Sequence, residues 1–230
     1  TSLGKYYNFI AKADNWLHEH KAQDVYIQSE DGLRLHGLWV ANENAKGTVI
    51  LVHGYRSTYL LDVSAALPYY YDQGMNVLIP EHRAHGKSEG KYITFGVKES
   101  SDMLQWLKFH NEEHDELPVL LAGVSMGAST VLYLADRKLP ENVKGIIADC
   151  GFTSPAAIIS EVFRDVLHLP AAPSITPPTA AAPPPAPGYI PSPLRFPISA
   201  RSAPSASAVT AAANLPAIPI WWARSMICRW

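Results

Sequence analysis

Beyond Pro170 the sequence contains no aspartate, glutamate, lysine or histidine. The only charges in that stretch are Arg195, Arg201, Arg224 and Arg229, and thirteen of the nineteen prolines lie there. A segment without carboxylates or imidazoles lacks the commonest general acids and bases, so proton-transfer chemistry is sought in the residues before it. Cysteine is scarce as well. Cys150 and Cys228 are too few for a disulfide framework. No apolar run reaches membrane-span length and no secretory signal is present, so the expected location is cytoplasmic. An anchor or leader ahead of Thr1 stays open. The net charge of −2 provides no electrostatic footprint for nucleic acid or an anionic membrane. Gly86 and Gly90 do not form a phosphate loop, because Gly-x4-Gly-Lys-Ser/Thr is absent.

The 230 residues suit one globular domain, but the composition breaks in two. All twenty-one acidic residues and fifteen of the nineteen basic ones lie up to Pro170. The expected organisation is an N-terminal helix over 1–20, a core over 21–170, and a Pro/Ala-rich tail over 171–230. Runs such as Pro183-Pro184-Pro185 remove backbone donors and break helices, so the tail reads as disordered or polyproline-like. An Ala/Pro/Ser/Arg mixture without acids or lysine also matches an out-of-frame reading of GC-rich DNA. A natural Pro-rich linker is the rival account.

Within the core, strand and helix patterns alternate. Residues 3–20 carry Tyr6, Phe9, Ile10, Ala13, Trp16 and Leu17 near one helical face. Asp24–Ser29 and Leu33–Val40 alternate around a Glu30-Asp31-Gly32 turn and predict a hairpin. Thr48–Val52 and Pro118–Ala122 are apolar runs suited to buried strands, the first to a parallel strand covered on both faces, and Met75–Ile79 and Val143–Ala148 read as further strands. Helices are predicted over Leu60–Gln73, Val97–His110, the segment after Ser125, and Ala156–Leu167, with Pro155 at a first turn. The expected architecture is α/β: a three-layer, mostly parallel sheet with helices on both faces, incomplete at its C-terminal end. A ligand site then lies at the strands' carboxyl ends. His53, Glu81, Ser125 and Asp149 all fall at such ends.

The stretch that carries chemistry is Gly123-Val124-Ser125-Met126-Gly127. A buried strand precedes it and a helical pattern follows, with Ala128, Val131, Leu132 and Ala135 apolar. Strand, tight turn and helix is the context that a nucleophile elbow requires. The two glycines leave room for the turn, and Ser125 sits at a helix N-terminus, where unpaired N–H groups favour a developing anion.

Other chemistry-bearing residues have plainer readings. His110-Asn111-Glu112-Glu113-His114 matches the H-x-x-E-H zinc pattern, but a solvated helix end is the better account, and His18-Glu19-His20 is likewise an exposed terminus. His82 and His85 read as loop residues held by hydrogen bonds, and Cys150 as a small buried residue.

Together, His53-Gly54 after one buried strand, His82-Arg83-Ala84-His85-Gly86-Lys87-Ser88 after the next, and the Ser125 elbow resemble the α/β-hydrolase superfamily. The likeness is to bacterial serine hydrolases of the serine aminopeptidase and acyl-thioesterase-like groups, and it covers about residues 20–170. It implies Ser125 as nucleophile, and the backbone N–H groups of Tyr55 and Met126 as an oxyanion hole. It implies hydrolysis of an ester, thioester or amide in a small-molecule acyl substrate, with no metal or organic cofactor. A dehalogenase is disfavoured, since that branch has aspartate where Ser125 stands. Asp149 is a candidate acid; its plainer role is bonding loop N–H groups. His53 is expected to anchor its loop. The family often has aspartate at Glu81 and glycine at Ala84, departures that should leave the loop intact. Its triad order is serine, acid, histidine. After Ser125 the only histidine is His168, which reads as part of a covering helix. The alternative is therefore an inactive, truncated or frameshifted hydrolase, at most a binding scaffold.

Overall fold

The computed structural model describes residues 2–114, 116–162 and 164. The tail over 171–230 and His168 lie outside the described residues, as does the end of the helix predicted to reach Leu167. The chain divides into two units, one of residues 1–155 together with 207–230 and one of residues 156–206. Of the second, only the end of helix α6 (Pro155–Glu161) and the residues just past it are described.

The described part of the first unit holds six strands: β1 (Gln23–Gln28), β2 (Arg34–Val40), β3 (Gly47–Val52), β4 (Met75–Pro80), β5 (Val119–Val124) and β6 (Val143–Asp149). They form one sheet in the order β1-β2-β4-β3-β5-β6. The β1–β2 hairpin is antiparallel and joins β4 antiparallel, while β4, β3, β5 and β6 run parallel. The hairpin turn closes through Ser29, whose hydroxyl donates to Asp31 at 2.7 Å and accepts the Leu33 N–H at 2.8 Å.

Alternate residues of the buried strands feed two cores, which makes the described part of this unit three-layered. Ile50, Val52, Leu78, Val119 and Leu121 point to one face. There they meet Met103, Trp106 and Leu107 of α4 (Val97–Glu113) and Ala128 and Val131 of α5 (Met126–Leu132). Val49, Leu51, Val77, Ile79, Leu120 and Ala122 point to the other face, against Leu17 of α1 (Ser2–Glu19) and Leu67 and Tyr70 of α3 (Leu67–Asp72). At roughly 1.5–3 kcal/mol for each fully buried large apolar side chain, these two layers are the main drive to fold. No described helix is long and apolar enough to cross a membrane.

Three sequence expectations need correction. The single helix over Leu60–Gln73 is instead α2 (Tyr59–Asp62), a 3-10 turn at Ser64–Ala66, and α3. Pro68 cannot donate to a helical ladder, and the Ser64 hydroxyl takes the Leu60 carbonyl at 2.7 Å, so the helix restarts. His110 is not at a solvated end. It is fully buried, with Nε2 2.8 Å from the Thr48 hydroxyl. His114 stacks on Trp39 at 3.8 Å, because α4 runs on over the sheet. Cys150 is exposed rather than buried: it turns away from the end of β6 with φ +56°, and its thiol donates to Asp149 Oδ1 at 3.2 Å.

Candidate active site

Ser125 joins β5 to α5 with φ +54° and ψ −116°, a conformation L-residues rarely adopt. Its N–H donates to the Asp149 carbonyl at 2.8 Å, and its carbonyl accepts the Ser129 N–H at 3.1 Å. The flanking glycines are required by close backbone approach. A β-carbon on Gly123 would run into the Gly127 carbonyl, and one on Gly127 would run into the Val52 carbonyl. The serine is half-buried and stands at the rim where β3, β4, β5 and β6 end.

The turn after β3 lies beside it. A β-carbon on Gly54 would stand 3.3 Å from Ser125 Cβ and 2.9 Å from Asp62 Oδ2. The Gly54 N–H donates to Asp62 Oδ2 at 2.7 Å, and the Arg56 N–H donates to His85 Nε2 at 3.0 Å. Between them, the Tyr55 N–H has no acceptor among the described residues. The Met126 N–H is also unengaged there, as the first amide of a helix must be.

Three histidines tie this turn to the loop after β4. His53 donates Nδ1–H to the Gly54 carbonyl at 2.9 Å and accepts the His82 N–H at Nε2 at 3.1 Å. His82 Nε2–H donates to the His53 carbonyl at 2.9 Å. His85 donates Nδ1–H to the Arg83 carbonyl at 2.9 Å, which leaves Nε2 as the acceptor for Arg56. Burial pushes the His53 pKa down to about 4 and drives His82 well below the usual histidine range. None of the three bonds to Ser125. The Asp149 carboxylate, buried beside the Ser125 turn, likewise receives no described histidine. The β5–β6 register sets Val124 opposite Asp149 and so brings Asp149 beside Ser125, but no imidazole among the described residues links the two.

The loop after β4 is braced from beneath. The buried Arg83 guanidinium grips Asp102 of α4 with two bonds of 2.7 Å and Asp31 of the hairpin turn with bonds of 2.9 and 3.1 Å. Glu81 Oε2 is 2.7 Å from both His36 Nδ1 and the Lys87 N–H, and a side chain on Gly86 would collide with that carboxylate. The longer acid therefore still fits. Ala84 keeps the loop closed through its N–H to the Glu89 carbonyl at 2.9 Å, but at φ +59°, where glycine is at ease. Asp62 escaped the sequence reading. It carries no motif, and only the fold of α2 brings it to the Gly54 amide.

A family model described as serine aminopeptidase, S33, matches residues 43–179, more than half of the chain. The uncharacterised protein YqkD of Bacillus subtilis is 33% identical over 130 residues, covering 55% of this chain and 41% of its own length. The uncharacterised protein YfhR of Escherichia coli K12 is 26% identical over 149 residues, covering 61% of this chain and 51% of its own. This chain thus spans about half the length of the curated relatives it matches. The solved esterase Pf2001 of Pyrococcus furiosus superposes with a TM-score of 0.58 at 29% identity, over 65% of this chain and 58% of that one. The parallel sheet, the glycine-flanked Ser125 turn and the family match agree: the chain belongs to the serine aminopeptidase S33 family of α/β hydrolases.

Proposed function

We propose that this chain carries the nucleophile half of a serine hydrolase acting on an ester, thioester or amide of a small acyl substrate. The observation that carries the reading is Ser125 itself. It is half-buried and held at φ +54° in the turn between β5 and α5, beside two backbone amides, Tyr55 and Met126, that no described group uses. A nucleophile needs its hydroxyl lifted clear of the backbone, and the tetrahedral intermediate needs donors already in place. Ser125 Oγ attacks the acyl carbonyl as a base removes its proton. The oxyanion accepts the Tyr55 and Met126 N–H groups, the leaving group departs protonated, and water then hydrolyses the acyl-enzyme. Asp149 is the acid that the chain offers beside the elbow. The esterase Pf2001 supports an ester-type substrate by likeness.

A second reading, an inactive scaffold, draws on the hydrogen bonds of the histidines near the site. His53 and His85 have both ring nitrogens committed to the backbone, and His82 uses Nε2 the same way. Labelling the chain with a fluorophosphonate, with Ser125→Ala as control, separates the two. Labelling that vanishes in the variant supports an activated Ser125. No labelling of folded protein supports the scaffold.

A further inference from the structure

We propose that Asp62 and His85 are positioning residues that together aim the Tyr55 N–H at the acyl oxygen bound over Ser125; this rests on the serine-hydrolase reading above. Three successive amides turn past the serine. The first, Gly54, is held by Asp62 Oδ2 at 2.7 Å, and the third, Arg56, by His85 Nε2 at 3.0 Å. The middle one, Tyr55, is left for a ligand. Each amide belongs to a rigid peptide plane, so holding the first and third narrows the range through which the middle plane, and its N–H, can turn.

The turn needs holding, because Arg56 sits at φ +50°, a conformation disfavoured for a residue with a β-carbon. His85 accepts the Arg56 amide only as the Nδ1–H tautomer, and the bond from Nδ1 to the Arg83 carbonyl sets that tautomer. Arg83 is in turn clamped by Asp102 and Asp31. Asp62, the last residue of α2, reaches back over the turn, and its engaged oxygen is 2.9 Å from the point where a Gly54 β-carbon would stand. Neither residue touches the reacting atoms. Each acts through an amide that does not itself bind the oxyanion.

The test compares substitutions that keep an acceptor with ones that remove it. His85→Gln and Asp62→Asn retain an oxygen near the position required, whereas His85→Leu and Asp62→Ala do not. Two readouts are taken on the full chain: the second-order rate of Ser125 phosphonylation by a fluorophosphonate, and amide hydrogen exchange at Gly54, Tyr55 and Arg56 by nitrogen-15 NMR. Losing an oxyanion donor outright slows catalysis about 10²–10³-fold, so misaiming one should slow phosphonylation by about 10-fold or more in His85→Leu and Asp62→Ala. His85→Gln and Asp62→Asn should restore most of that rate. Exchange should quicken at Arg56 in His85→Leu and at Gly54 in Asp62→Ala. Wild-type phosphonylation rates in the acceptor-free variants overturn the proposal, as does an equal loss in the acceptor-keeping ones. If the wild-type chain does not label at all, the hydrolase reading fails, and exchange alone decides the positioning. Gly54 and Arg56 protected relative to Tyr55, each released by its own variant, uphold it. Equal exchange at all three amides overturns it.

Discussion

Acidification is the perturbation to which the histidine cluster responds most directly. His53 is fully buried, and that burial brings its pKa to about 4. Burial shifts His82 down in the same direction, reinforced by His53 and His85. Both rings are neutral in the folded chain near pH 5–7, whereas in the unfolded chain they titrate near the ordinary value of about 6.5. The unfolded state then binds more protons, so this contribution to stability is fully present above about pH 6.5 and is lost as the pH falls toward 4. For His53 alone the two pKa values give a loss of about 2 kcal/mol between pH 7 and pH 5. His82 adds a loss of the same sign. Most carboxylates titrate below this window, near about 4. Urea unfolding midpoints at pH 7, 6 and 5 measure the slope. In His82→Gln the side-chain amide replaces the N–H donated to the His53 carbonyl but does not titrate, so that variant should lose distinctly less stability on acidification. A wild-type stability flat to within about 0.5 kcal/mol across this range, or an identical slope in the variant, refutes the argument.

Three further outcomes follow from the braces around the site. Asp102→Ala leaves the Arg83 guanidinium buried with only the more exposed Asp31 as a carboxylate partner, and should lower stability by about 3–5 kcal/mol in urea unfolding. The double variant Arg83→Met/Asp102→Leu should lose far less. Ala84→Gly relieves a left-handed residue at φ +59° and should raise stability in urea unfolding by up to about 1 kcal/mol; a clear loss would contradict the strain. Gly127→Ala drives a methyl group into the Val52 carbonyl and should cost about 3 kcal/mol or prevent folding, and a loss below about 1 kcal/mol in a thermal melt would contradict that contact.

Much of the fold was legible because most of its strands are largely apolar runs or alternations. Thr48–Val52 could only be covered on both faces, and it became the fully buried β3. The strand–turn–helix at Ser125 was legible because Gly-x-Ser-x-Gly stood between a strand pattern and a helix pattern. The rest was set by tertiary contacts that no local spacing records. His53 and His82 are 29 residues apart in sequence, and their mutual hydrogen bonds exist only because β3 and β4 pair in parallel. Asn111-Glu112-Glu113 made the end of α4 look solvated, but His110 faces Thr48 on the sheet. Cys150 looked buried by composition, and the left-handed turn after β6 exposed it. Asp62 had no signature, since capturing an amide eight residues earlier depends on where the break in the predicted Leu60–Gln73 helix fell.

The contact of Gly127 with the Val52 and His53 carbonyls is main chain against main chain. The spacing between Ser125 and the turn at Gly54 is therefore gauged by peptide groups, which every sequence shares, rather than by the shapes of core side chains. Substitutions among Val49, Ile50, Leu121 or Ala122 can repack both cores while this gauge stays fixed. A lineage descended from such a chain is free to drift across most of its interior and still hand down the same distance between serine and turn, provided two glycines are never replaced.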